Sequence, residues 1–248
     1  MRVSRADEER LTSDAILGLF ADAASVAVTP PLEFFRDENP ITRRSVASPE
    51  RRAVFLGERP YLCEMAGRPT VLPARFALFP GSFNPMHVGH RGMATVASAR
   101  LGLPVINELS IANVDKPPLD YLEIVDRTSQ FAVDEAYVLT AAPTFAEKAK
   151  LFPGTTFVVG VDTILRIAPP KYYGTDPDGG RRAIAAIAEQ CCRFLVFGRT
   201  LPDRSFQTLS DCELPAELRA ICDEVPESAF RADVSSTELR RGEQADHR

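Results

Sequence analysis

The chain has 248 residues, 45% of them hydrophobic, and a formal net charge of −5. That is enough apolar material for a packed core and gives no global attraction to nucleic acid, so any phosphate chemistry must rest on a local concentration of positive groups. With no apolar run of bilayer length and no opening segment of signal-peptide type, the sequence reads as soluble and intracellular, cytoplasmic rather than bound to a membrane.

Five cysteines, an odd number without regular spacing or accompanying histidines, read as reduced thiols rather than a disulfide framework or a zinc site. The adjacent Cys191 and Cys192 are expected to be buried apolar fillers.

Residues 1–74 differ in texture from the remainder. The stretch "TSDAILGLFADA" predicts an amphipathic helix capped by Thr12 or Ser13, with Ile16, Leu17, Phe20 and Ala23 at helical spacing. A Pro-containing stretch and the basic "TRRSVASPERR" then interrupt any long element. In "VFLGERPYLCEMAGRPTVLP", Pro60 and Pro69 restrict the expectation to short edge strands about a turn at Gly67. The region is expected to be an irregular extension that packs on a domain spanning residues 75–248.

From Phe76 short apolar runs alternate with helical segments. The strand "FALF" leads into a helix from about Val88 to Leu101, with Met93, Val96, Ala97 and Leu101 on one face and Gly102 as its stop. Then follow "PVINELSIAN" as strand, "LEIVDRTSQFAVDE" as helix, "AYVLTAA" as strand, "TFAEKAKLF" as helix and "TTFVVGVD" as strand. Beyond the loop "PPKYYGTDPDGG" come the helix "RRAIAAIAEQC" and the strand "RFLVFGR". Strand and helix alternating at this spacing predict crossover connections and a mostly parallel, doubly wound α/β sheet. Ligands of such sheets bind beyond the carboxyl ends of the strands.

The first strand-to-helix connection, "FPGSFNPMHVGH" at residues 79–90, holds two of the three histidines in the chain. Gly81 is expected to allow a sharp turn, Pro85 to fix the chain after Asn84, and the following helix to offer free N–H groups to an anion. His87 and His90 fall on one side of its first turn. A second segment, "VSSTELR" at 234–240, places hydroxyls at a helix start with Arg240 one turn on; by itself it reads as a capping motif, with Glu238 near a capping-box position. A third, "GVDT" at 160–163, sets Asp162 at the end of an apolar strand, where a carboxylate can bind a ribose or serve as a helix cap.

"GSFNPMHVGH" resembles the G-x-F-N-P-x-H-x-G-H signature of the nucleotidyltransferase superfamily, and within it the nicotinamide or nicotinate mononucleotide adenylyltransferases. "VSSTELR" is similar to that family's phosphate-binding segment, and the likeness spans roughly residues 75–242. It implies a Rossmann-like doubly wound sheet and adenylyl transfer from ATP, with Mg²⁺, to a phosphorylated small-molecule acceptor, in the service of NAD biosynthesis. It also implies roles for particular residues. His90 contacts the α-phosphate, His87 aligns the phosphate chain and Arg240 stabilises the leaving charge. Gly81, Ser82, Phe83, Asn84, Gly160, Asp162, Ser235, Ser236 and Thr237 bind the nucleotide, and Lys116 is a further cation for phosphate or acceptor. Relatives of this kind are often homo-oligomeric.

The chain departs from the family in having no Trp to stack on a pyridine ring, which leaves Phe145, Tyr172 or Tyr173 for that task. Two alternatives stay open: a nucleotidyltransferase acting on another phosphorylated small molecule, and a non-catalytic nucleotide-binding module. A dehydrogenase is disfavoured, because no G-x-G-x-x-G follows the first strand.

Overall fold

In the computed structural model, residues 5–26, 43, 45–114, 117–167, 169, 176, 178–201 and 203–232 are described. The chain divides into two units, Met1–Ser45 and Val46–Arg248. In the first unit one helix, α1 (Arg5–Ala23), begins a full two turns before the expected cap. Thr12 and Ser13 lie inside it, and their hydroxyls donate back to the carbonyls of Glu8 and Glu9 at 2.8 and 2.9 Å. Asp7 and Glu8 in the first turn suit the positive end of the helix and favour the earlier start.

The second unit begins with α2 (Pro49–Phe55), a short helix that overlaps the basic stretch expected to interrupt any long element. Its signal was local: the Ser48 hydroxyl accepts from the Arg51 N–H at 3.3 Å, and Pro49 occupies the first turn, where its missing N–H costs nothing. A hairpin follows, β1 (Tyr61–Met65) and β2 (Arg68–Pro69), turning through Ala66 and Gly67, which both have positive φ. The remaining elements are β3 (Ala77–Pro80), α3 (Val88–Leu101), β4 (Val105–Ser110), α4 (Tyr121–Thr128), β5 (Tyr137–Thr140), α5 (Phe145–Leu151), β6 (Thr156–Gly160), α6 (Val161–Ile164), α7 (Gly179–Glu189) and β7 (Arg193–Phe197). A small ribbon of β8 (Arg199–Thr200) and β9 (Phe206–Gln207), then α8 (Ala216–Arg219) and β10 (Cys222–Val225), complete them.

Eight strands form one sheet in the order β10, β7, β6, β3, β4, β5, β1, β2. From β10 to β5 every neighbour is parallel, and β1 adds antiparallel to β5 with β2 at the edge. This is a doubly wound α/β sheet of Rossmann-like type. Chain order reverses at β3, which pairs with β4 on one side and β6 on the other, so the crevice beyond the ends of β3 and β6 is the topological switch point. The central strands are nearly continuous apolar runs because helices cover both faces.

Residues 46–74, read from the sequence as part of the extension, instead finish the sheet. A buried polar triad ties them in: Arg51 on α2 pairs with Glu64 on β1 at 2.8 Å, and both bond the Tyr137 hydroxyl on β5, at 2.8 and 2.9 Å. Two further expectations differ. The helix read over 122–135 ends at Thr128, whose hydroxyl bonds the Ile124 carbonyl, and Phe131 leaves it to pack between Phe83 and Tyr137. Cys191 is exposed, with φ of 55° just past α7, and only Cys192 is a buried filler. Most of the loop 169–180, with Tyr172 and Tyr173, lies outside the described residues. Among the described residues no helix is long and apolar enough to cross a membrane.

Candidate active site

The turn after β3 is built around a buried ring. Phe83 is fully buried at φ of 43°, and its ring packs edge-on to Phe79, Phe131 and His90. A Cβ on Gly81 would stand 2.6 Å from that ring. Gly81 is therefore glycine because the Phe83 ring takes the space, and the left-handed backbone falls on Phe83 rather than on Gly81. The Gly81 N–H donates to the Glu108 carbonyl at 3.0 Å as an extension of the β3–β4 ladder, and Gly81 itself lines the cleft described below.

Two residues of α4 and its exit hold this turn. Gln130 accepts from the Met86 N–H at 2.7 Å and donates to the Phe83 carbonyl at 2.9 Å, bracketing the cis Asn84–Pro85 bond. Arg127 donates to the Ser82 carbonyl at 3.1 Å and is held in turn by Glu123 at 2.8 Å. Sequence reading missed both, since nothing local distinguishes a Gln or Arg at a helix end from a solvated one.

His87 is the N-cap of α3 in extended backbone, and its N–H donates to Nδ1 of His90 at 3.3 Å. The two imidazoles lie 3.8 Å apart with 30° between planes. Gly89 permits this: a Cβ there would come within 3.0 Å of the His87 ring and 3.6 Å of the Ala232 Cβ. Burial, reinforced by the neighbouring His87, pushes His90 down to about 4, and burial lowers His87 also. At neutral pH the His90 ring is thus uncharged. Because its Nδ1 accepts a hydrogen bond, the proton resides on Nε2, which makes His90 a neutral donor at the positive end of a 14-residue helix.

A cleft of about 720 Å³ opens at the carboxyl ends of the central strands. Ser82, Asn84 and His90 line it from the β3 turn, and Gly160 with Asp162 line it from the end of β6. His87 does not line it and stands behind His90; Phe83 is beneath the turn. Asp162 is the second residue of α6, with Arg199 and Arg166 guanidinium nitrogens 3.9 and 4.0 Å from its Oδ2. A Cβ on Gly160 would lie 2.7 Å from Asp162 Oδ1, so this glycine too makes room for its neighbour.

The cleft also holds an ion pair absent from the sequence reading. Lys148 on α5 reaches Glu108 Oε1 on β4 at 2.7 Å, and the Thr140 hydroxyl donates to the same oxygen at 2.5 Å. Both partners line the cleft, as does Phe145. In sequence Glu108 is one letter of a strand pattern and gives no sign of its partner 40 residues away.

Ser235, Ser236, Thr237, Arg240 and Lys116 lie outside the described residues. Of the described residues before that second motif, Phe230 packs where a Cβ on Gly92 would stand, 2.6 Å away, and Ala232 Cβ is 3.6 Å from where a Cβ on Gly89 would stand. Among the described residues no group of three His, Cys, Asp or Glu stands together to hold a metal ion.

The family model described as cytidylyltransferase-like matches residues 78–242, from β3 through the second motif. Comparison with curated proteins gives no match. The match covers well over half of the 248 residues, and the chain belongs to the cytidylyltransferase-like family of nucleotidyltransferases.

Proposed function

We propose that this nucleotidyltransferase moves an adenylyl group from ATP to the phosphate of nicotinamide or nicotinate mononucleotide, giving NAD or its deamido analogue and pyrophosphate. The observation that supports it most directly is the pairing, in one cleft, of the neutral His90 donor at the α3 N-terminus with Asp162 at the end of the adjacent strand β6.

In this reading ATP spans the switch point, with its ribose at Asp162 and its α-phosphate at His90 Nε2 and the first N–H groups of α3. An acceptor phosphate oxygen attacks the α-phosphorus in line. The bond from the α-phosphorus to the α–β bridging oxygen breaks, and that oxygen leaves with pyrophosphate. No covalent enzyme intermediate is required, so catalysis is positioning plus stabilisation of charge on the transferring group. A neutral imidazole N–H suits this task, since its bond strengthens as the phosphoryl oxygens gain charge. Mg²⁺ enters with ATP as part of the substrate. Ser235, Ser236, Thr237 and Arg240 hold the leaving phosphates, with Lys116 as a further cation. His87, stacked behind His90 and donating its backbone N–H to it, positions that ring instead of touching phosphate.

Pyrophosphate release from Mg·ATP tests the proposal, with nicotinamide mononucleotide, nicotinate mononucleotide, phosphopantetheine or no acceptor in parallel. Release with a pyridine mononucleotide and appearance of the matching dinucleotide is the expected result. Release with phosphopantetheine alone, or with no acceptor offered, overturns it.

A further inference from the structure

Adenylyl transfer accounts for the β3 and β6 sides of the cleft and leaves the β4, β5 and α5 side unexplained. There Glu108 and Lys148 form an ion pair whose side chains are only 1% and 5% exposed. Glu108 Oε1 is crowded, taking Lys148 Nζ at 2.7 Å and the Thr140 hydroxyl at 2.5 Å. Glu108 Oε2 has no hydrogen-bond partner among the described residues. Lys148 places a second N–H on the Ala142 carbonyl at 2.7 Å, which accounts for two of its three donors. Glu108 Oε2 is not sealed from solvent, so the oxygen that takes no protein hydrogen bond is open to the cleft rather than stranded in the core. This pair keeps one acceptor and one donor in reserve and lines a cleft. Phe145, one helical turn before Lys148 on α5, lines the same cleft.

We propose that Glu108 and Lys148 recognise the head group of the acceptor, and that they select a neutral group bearing a donor beside an acceptor, a carboxamide, over a carboxylate. The inference rests on the pyridine mononucleotide reading above and assigns its preference to the nicotinamide form. A carboxamide NH₂ donates to Glu108 Oε2 while its carbonyl accepts the third Lys148 N–H, and the Phe145 ring offers an aromatic surface for a flat heterocycle. Because the pair already sums to zero charge, a neutral head group adds no imbalance in a site of low dielectric. A carboxylate has no proton for Oε2, so it leaves that oxygen unpaired and sets a second negative group beside it, with the Lys148 charge already compensated. Charge-assisted hydrogen bonds of this kind correspond to a preference on the order of tenfold to a hundredfold.

The test is kcat/KM with Mg·ATP for nicotinamide and nicotinate mononucleotide, using the full chain, Glu108→Gln, and the double variant Glu108→Leu/Lys148→Met. Thermal unfolding of each reports that it is folded. The wild-type chain is expected to prefer the nicotinamide form. Glu108→Gln removes the charge that compensates Lys148 and is expected to invert the preference, chiefly through KM. The neutral double variant, which keeps side-chain volume and has no unpaired charge, is expected to use both forms alike. Equal use or nicotinate preference by the wild-type chain overturns the inference, as does a preference that persists in the folded variants, and both results leave adenylyl transfer standing. Turnover with neither mononucleotide overturns the inference together with the reading beneath it.

Discussion

The His90 ring is neutral because burial and His87 push it from 6.5 down to about 4, and this has a measurable effect on stability. In the unfolded chain His90 titrates near its ordinary value, so between about pH 4 and 6.5 the unfolded state binds more protons than the folded one. The contribution is fully present above the unfolded value and is lost as pH falls toward the folded one. At pH 5 the unfolded histidine is almost wholly protonated and the folded one is mostly not, a difference of about 2 kcal/mol. Because the ring is only partly buried, solvent screening makes that figure a ceiling. The perturbation is His90→Gln, which removes the titration and keeps an acceptor for the His87 N–H. Urea unfolding of both proteins at pH 7.5 and pH 5.0 isolates the effect of the coupled imidazole pair, since groups away from His87 and His90 titrate alike in both and cancel. The wild-type protein is expected to lose about 1 to 2 kcal/mol more than the variant on acidification. Identical losses would mean that His90 titrates normally in the folded state, and the assignment of a neutral donor at Nε2 would fail.

Gly89→Ala places a methyl within 3.0 Å of the His87 ring. It should lower kcat by on the order of tenfold or more through misplacement of the stacked imidazoles, with little change in circular dichroism; an unchanged kcat would show that the stack is not needed. Gln130→Ala leaves the Met86 N–H and Phe83 carbonyl without their clamp. A loss of about 1–2 kcal/mol in urea unfolding is expected, with kcat falling more than KM for ATP rises, whereas a purely structural role would cost stability alone. Arg51→Met strands the buried Glu64 carboxylate and should cost about 3–5 kcal/mol. Adding Glu64→Leu should recover much of that loss, and failure to recover would put the stabilisation in arginine packing rather than charge.

The parallel core was legible because each of its elements carries a local signal. Pro85 and Gly102 bracket α3, β6 is rich in β-branched residues, and the alternation repeats at crossover spacing. What escaped depends on partners distant in sequence. Arg51 and Glu64 look like surface charges until Tyr137, more than 70 residues on, completes their triad. Gln130 acts on residues 44 and 47 positions earlier, and Lys148 finds Glu108 40 positions back. Helix α4 stops short because Phe131 gains more by burial between two rings than by one further helical turn, a tertiary preference that no periodicity expresses.

The motif letters themselves were legible, and for some of them the physical reason was not. Gly81, Gly89 and Gly160 each stand two positions from the side chain whose room they provide: the Phe83 ring, the His87 ring and the Asp162 carboxylate. A Cβ at any of the three would lie at 3.0 Å or less from that partner; at Gly81 the buried Phe83 ring has nowhere to go, whereas at Gly160 the half-exposed Asp162 carboxylate can swing away at small cost. Backbone freedom is not what the turn after β3 draws from its glycine, since the positive φ belongs to Phe83. Glycine and partner therefore act as one unit, in which the small residue lets the large one fold back over its own chain. The consequence reaches the chemistry through His90. Its ring is stacked on His87 and edge-on to Phe83, so two of the three glycines set, at one remove, where the Nε2 proton stands.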